Sequence, residues 1–271
     1  MRPGARDAGR GGGVLGAFIG LAGGLFGGLV GLGGGVVMVP LLGGLARLRQ
    51  QEAHGTSLVT VVLAGMVGAV TYAWSGKVDL VGAAMLAVTA VLTAHFGARY
   101  AHALPEWKLK RAFGTFLLAV MLLLLAKPWL TGMAPAPLDG WAKAAVLLPV
   151  GAATGFLSGM MGVGGGNLMV PAMVLLVGFP QVLAQGTSLL AMVPAGAVGA
   201  RAHWQLGNVA RRLLPGLAAG ILVGAFLGGS LALRLPETAL RLTFAAVLLW
   251  TGLRYVRAKR PPAEPPRHSP R

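Results

Sequence analysis

The chain has 271 residues, of which 55% are hydrophobic and only 11% charged, and its mean hydropathy is +0.73. A soluble domain carries roughly 25% charged residues, so this composition excludes a soluble globular protein and indicates one compact polytopic membrane bundle. The net charge of +16 is read as basic loops that orient membrane helices, with the lipid bilayer and no nucleic acid as partner. Cysteine is absent, which excludes disulfides, thiolate metal sites and cysteine nucleophiles.

In chain order, residues 1–11 read as a cytoplasmic N-terminus. MRPGARDAGR before an apolar run could pass for a signal peptide, but the segment that follows has an internal counterpart at 147–170 and belongs to the fold. A first transmembrane repeat, 12–130, holds one glycine-broken apolar stretch (12–44) and three clean spans at 54–75, 79–99 and 108–129. A linker, 131–141, leads to a second repeat, 142–256. It holds the broken stretch 142–178 and spans at 183–206, 210–233 and 237–256. Apolar runs of about 20 residues suffice to cross a hydrocarbon core about 30 Å thick. The tail 257–271, RAKRPPAEPPRHSPR, is basic and proline-rich and is expected to be disordered and cytoplasmic.

The two halves are copies. GLGGGVVMVP at 31–40 matches GVGGGNLMVP at 162–171, HGTSL at 54–58 matches QGTSL at 185–189, and AGMVGA at 64–69 matches AGAVGA at 195–200, all in one register. About 25 of the 57 positions between Gly20 and Gly76 match their partners. Such duplication is a mark of transporter folds. Glycines at 16, 20, 24 and 28, and again at 216, 220, 224 and 228, recur every fourth residue. That spacing makes a smooth ridge on one helix face, where another backbone can approach closely.

Three consecutive glycines weaken an apolar helix by about 1 kcal/mol each relative to alanine. The backbone groups they free are tolerated at membrane depth only against protein or a water-filled cavity. One reading is a tight helix crossing. The other is a discontinuous helix whose amides, near a half-helix N-terminus, face an anion. If each broken stretch crosses once, the chain has eight spans, and Lys plus Arg divides 15 inside to 8 outside. If each dips in and returns as a re-entrant hairpin, the division is 18 to 5, the two ends stay inside, and the second half is inverted relative to the first. The positive-inside rule favours the hairpins. The expected fold is therefore an all-α membrane bundle of two repeats, inverted, each with a glycine-broken segment plus three spans.

All seven acidic residues fall in loops or tails, so no buried carboxylate is available to bind a cation or relay protons. Near the core lie Thr56, Ser57, Asn167, Gln185, Thr187 and Ser188, together with Arg201, His203, Trp204 and Gln205; His54, Tyr72, Trp74 and His95 are further candidates. Hydrogen-bond donors without acids suit an oxyanion. Each also has a structural alternative. Membrane Thr–Ser pairs often bond back to their own helix, and His203 and Trp204 sit where interfacial anchoring is common. Asn167 directly follows the second break. There is no GxxxxGK[ST], HExxH or GxSxG motif, and the GxGxxG match at Gly11–Gly16 lacks a preceding strand. No enzyme activity, cofactor or metal is expected.

Two copies of GxGGGxxMVP, each followed by GTSL and then AGxVGA, resemble the sulfite exporter TauE/SafE family of membrane permeases, over essentially the whole chain from 12 to 256. The resemblance implies an inner-membrane secondary transporter for sulfur-containing anions such as sulfite, sulfonates and related organic acids. The copies differ at Val36 against Asn167 and at Tyr72 against His203, so a shared site is asymmetric. The expected site lies between the two breaks: Gly33, Gly34, Gly35, Gly164, Gly165 and Gly166 supply amides, joined by Asn167, Thr56, Ser57, Thr187 and Ser188, with Arg201 nearer the cytoplasmic mouth and His203 as the proton carrier of a proton-coupled or uptake mode. Export suits an anion, because each negative charge leaving a negative interior gains roughly 2.3 kcal/mol per 100 mV. The alternatives are a permease for a different small solute and a non-transporting membrane scaffold. The sequence is also compatible with a homo-oligomer.

Overall fold

The computed structural model describes residues 7–100, 106–130, 138–161 and 165–258. Among the described residues the secondary structure is helical, in ten α-helices. They are α1 (Asp7–Val30), α2 (Gly35–Gly44), α3 (Gln50–Trp74), α4 (Leu80–Tyr100), α5 (Glu106–Leu130), α6 (Gly140–Met161), α7 (Gly166–Ala172), α8 (Gln181–Gln205), α9 (Leu214–Arg234) and α10 (Glu237–Val256). A π turn, Met173–Val177, prolongs α7, and a 3-10 turn, Arg211–Leu213, leads into α9. Six of these helices are long and apolar enough to cross a membrane: α1 from Gly12, α3, α6 up to Ser158, α8, the Arg211–Arg234 segment and α10. The expected spans match α3, α4, α5, α8, α9 and α10 within a few residues. Helix α1 begins at Asp7, inside the segment read as an N-terminal tail, and α6 begins at Gly140, inside the segment read as linker. Most of the 131–141 linker and of the 257–271 tail lies outside the described residues.

Both broken stretches fold back on themselves. In the first, a Cβ on Gly23 would strike Met38, and one on Gly27 would lie 2.5 Å from the amide nitrogen of Gly34, so α2 runs antiparallel to α1. Leu15 near the start of α1 shares one apolar cluster with Leu42, Ala46, Leu48 and Leu213. Both ends of this hairpin therefore sit at one end of the bundle. In the second, the Leu138 amide donates to the Val177 carbonyl at 3.0 Å, which brings the two ends of α6–α7 together.

Helix directions follow from which residues meet. The glycine ridges of α1 and α9 interlock in parallel: a Cβ on Gly16 would lie 2.9 Å from the Leu213 oxygen, one on Gly24 2.8 Å from the Ala225 nitrogen, and one on Gly224 2.8 Å from the Leu25 nitrogen. Helices α4 and α6 also run parallel, with Gly82 on Leu147, Gly151 on Leu86 and Gly155 on Ala90. Helix α3 is antiparallel to α8, with Gly55 on His203 and Gly186 on Tyr72, and α5 to α10 through Gly114 and Gly252. Exchanging each helix for its repeat counterpart turns the α1–α9 pair into the α6–α4 pair and leaves the other two unchanged. This arrangement supports the inverted duplication read from the sequence.

One end of the bundle then collects the start of α1, the 45–49 connection, the start of α5, the 206–213 connection and the end of α10, where Arg111 donates to the Ala258 carbonyl at 3.0 Å. Among the described residues that face carries Arg47, Arg49, Lys108, Arg111, Arg211, Arg212 and Arg257, as the hairpin reading requires. The opposite face carries Lys77 and Lys143. Single cysteines introduced near Arg49 and Lys110 are expected to share one labelling side, with a cysteine near Lys143 on the other. The background is clean because the chain has no cysteine of its own. Opposite labelling of the first two would break the hairpin arrangement.

Candidate functional site

The two hairpin tips meet inside the bundle. In the first, Gly31, Gly33 and Gly34 have φ of 75°, 67° and 79°, a left-handed conformation that side-chain-bearing residues rarely adopt. Gly34 also faces the Gly23 carbonyl of the opposite arm with no room for a Cβ. Gly35, buried, opens α2. In the second tip Gly165 is right-handed, at φ −91°, and faces Thr154 across the hairpin. Gly166 opens α7 against the other tip: its Cβ would lie 2.9 Å from the Gly31 oxygen and 2.8 Å from Leu32 Cδ2. Gly164 lies outside the described residues. At the helix starts the Val37 and Leu168 amides donate to the cap carbonyls of Gly34 and Gly165, at 3.1 and 3.2 Å, which leaves the amides before them without a partner in their own helices.

Polar side chains collect around this contact. Gln185 packs on Gly31. The Tyr72 hydroxyl donates to the Gly28 carbonyl at 2.9 Å and lies 3.2 Å from Gln185 Oε1, so it caps the end of α1 and reaches across to α8. Asn167 is 2% exposed with neither amide atom bonded, Gln185 is fully buried with Nε2 free, and Thr154 is 2% exposed with its hydroxyl free. Both amide atoms of the buried Gln181, at the start of α8, are also unbonded. A buried polar atom without a partner costs about 1–3 kcal/mol, and such groups call for a specific explanation. Unlike Gln181, Asn167, Gln185 and Thr154 all border the meeting tips, where a ligand can complete their bonding.

The structure separates the other expected site residues from this centre. Thr56 Oγ accepts the Ala210 amide at 2.9 Å, and Thr187 Oγ accepts the Asp79 amide at 3.0 Å. These are repeat-equivalent bonds, each tying a long helix to the connection that starts α9 or α4. Ser57 and Ser188 are buried beside them; the Ser57 carbonyl accepts the Thr60 hydroxyl at 2.6 Å, and Ser188 Oγ faces Met192 Sδ at 3.7 Å. Because α3 and α8 are antiparallel, the two pairs lie at opposite ends, about 25 Å apart at 1.5 Å per residue. One site holding both pairs is not what the structure brings together. The reason is the inversion itself, which carries a repeated motif to opposite depths.

Arg201 is exposed, and His203 packs on Gly55 near the basic face, with its Nδ1 buried and unbonded. Trp204 stacks under Arg211 at 4.8 Å, as an interfacial anchor would. Gln205 ends α8 and Trp74, at 78% exposure, ends α3. His54 lies in the first turns of α3 near the basic face, while the His95 side chain falls outside the described ones. One residue that borders the centre, Thr154, was missed by the sequence reading. Thr154 had a signal, since it replaces Gly23 of the first copy.

At the face opposite the basic one, Lys143 on α6 pairs with Asp79, and its ammonium lies 5.3 Å from the Phe179 ring centroid. Asp79 also caps α4 by accepting the Gly82 amide at 2.9 Å. Burial pushes the Asp79 carboxyl up, but the Gly82 amide and the Lys143 ammonium outweigh it and hold the group below its ordinary 3.8. Its stabilising contribution is therefore present above that value and is lost as the pH falls through the folded value. Lys143→Gln is expected to destabilise the protein by about 2 kcal/mol near pH 7, since both side chains are mostly buried. It should also flatten the fall in Tm below about pH 4. An unchanged Tm profile in detergent would show that the pair contributes nothing.

Helical hairpins that meet at a polar centre, inside a bundle of apolar helices from two sequence repeats, define the class as a membrane transporter. The chain belongs to the Sulfite exporter TauE/SafE family, whose model matches residues 2–124 and 147–271. It is similar to the probable membrane transporter protein YunE of Bacillus subtilis, at 27% identity over 90% of this chain and 93% of that protein. A probable membrane transporter protein of Xylella fastidiosa (strain Temecula1) is 31% identical over 69% of this chain and 71% of its own. One from Haemophilus influenzae is 34% identical over 40% of this chain and 44% of its own. No solved structure matches.

Proposed function

We propose that this chain is a secondary transporter that exports a small sulfur-containing or related organic oxyanion across the inner membrane, with both termini cytoplasmic. The observation that carries the reading is the set of uncommitted polar groups of Asn167, Gln185 and Thr154 at the meeting of the two tips. Amides and a hydroxyl there can replace the hydration of an oxyanion without holding it too tightly to leave. The basic face is read as cytoplasmic by the positive-inside rule, and a potential negative on that side drives an anion outward. The sulfur chemistry rests on the family description.

The test is flux. Proteoliposomes holding the purified chain and labelled sulfite, or a labelled sulfonate, should release it faster than protein-free vesicles. An inside-negative potential should accelerate release of the anion. Equal rates with and without protein across a panel of small anions would overturn the proposal.

A further inference from the structure

Fixed charge on the hairpins and on the helices beside them is confined to their ends, away from the tips. No ionisable side chain occurs in 12–44 or 144–200, and 55–76 contains only Tyr72. These stretches include both tips and the sides of α3 and α8 that meet them. What is available at the centre is neutral and of both hydrogen-bonding senses. Asn167 offers a free Nδ2 donor and a free Oδ1 acceptor, Gln185 a free Nε2, and Thr154 a hydroxyl, all on residues at most 2% exposed.

From this we infer that the site selects a singly charged oxyanion carrying a hydrogen-bond donor of its own, such as a protonated oxygen, and rejects doubly charged anions of the same shape. The desolvation penalty of an ion grows as the square of its charge, and without a buried cation nothing in the site offsets the second charge. Oriented amides can stabilise one delocalised negative charge. The free Asn167 Oδ1 repels a bare anion and is satisfied only when the ligand donates to it. The inference deepens the transport reading above and rests on it for the position of the substrate.

The experiment uses the full chain and reads binding and flux separately. Binding is followed as thermal stabilisation of the detergent-purified protein by methanesulfonate (one charge at any working pH), by sulfate (two charges) and by sulfite titrated across neutral pH. The expected result is stabilisation by methanesulfonate and by the hydrogen-bearing form of sulfite, the latter tighter, with sulfate weaker by about tenfold or more. Asn167→Asp and Gln185→Glu, each close to isosteric, should lower the unliganded Tm, since each buries a carboxyl with no cation beside it, and bind the monoanions about tenfold less tightly than wild type. Sulfate binding as well as methanesulfonate overturns the inference, and so does wild-type binding by both variants. Selective monoanion binding without flux in proteoliposomes would overturn the transport reading and leave the charge selectivity standing.

Discussion

Leucine at Gly220 or Gly224 is expected to leave no stably folded protein after extraction into detergent. These glycines sit in the parallel crossing of α9 on α1. A Cβ alone at Gly220 would lie 2.6 Å from the Leu21 nitrogen, and at Gly224 2.8 Å from the Leu25 nitrogen. The obstructing atoms are backbone, so no rotamer change relieves them. The helices must separate along a ridge where Gly16, Gly20, Gly24 and Gly28 meet the same four-residue spacing from the other half. Within a membrane, close packing of this kind is the main force holding helices together. Overpacking commonly destabilises by 1–3 kcal/mol, and a full leucine against backbone should exceed about 3 kcal/mol. Gly43→Ala, where a Cβ meets nothing within 4 Å, is the control and should behave as wild type. A monodisperse, thermally stable Gly224→Leu protein would show that the ridge is not the contact that assembles the bundle.

The ridges also show what the sequence does and does not reveal. Their spacing announces a helix crossing, but nothing in either stretch says that the partner ridge lies some 200 residues away, because a glycine face is smooth to any helix. The hairpins were legible by a different route: loop charges count toward one face or the other, and only fold-back puts Arg99, Lys108, Lys110 and Arg111 with the basic majority. The GTSL motif misled for a physical reason. Thr56 and Thr187 repeat because both repeats need an acceptor for the first amides before α9 and α4, and repetition looks the same whether its cause is structural or functional. Tyr72 and Gln185 stand 113 positions apart and meet only because α3 and α8 are antiparallel. No local pattern carries that pairing. The position of Asn167 beside the second tip was legible, since it breaks the repeat immediately after a break in the helix.

Gly166→Leu is expected to abolish flux while leaving a folded protein, which separates the tips from the ridges. Gly166 has right-handed helical geometry at the start of α7, so a side chain there meets no backbone strain of its own. What it meets is the other tip, at the Gly31 oxygen and Leu32 Cδ2. The obstacle belongs to the turn of a hairpin rather than to two long helices locked side by side. A tip can yield by a small displacement, at a cost of about 1–3 kcal/mol, and yielding there disturbs Gln185 against Gly31 and the position of Asn167. A shift of about 1 Å at a site built from oriented neutral dipoles suffices to lose the arrangement that binds a ligand. Gly34→Leu should behave differently, because φ is 79° and the Gly23 carbonyl blocks the side chain; there folding itself should suffer. Comparing thermal stability and proteoliposome flux for the two variants checks the assignment. Wild-type flux from a folded Gly166→Leu protein would move the substrate path away from the meeting tips.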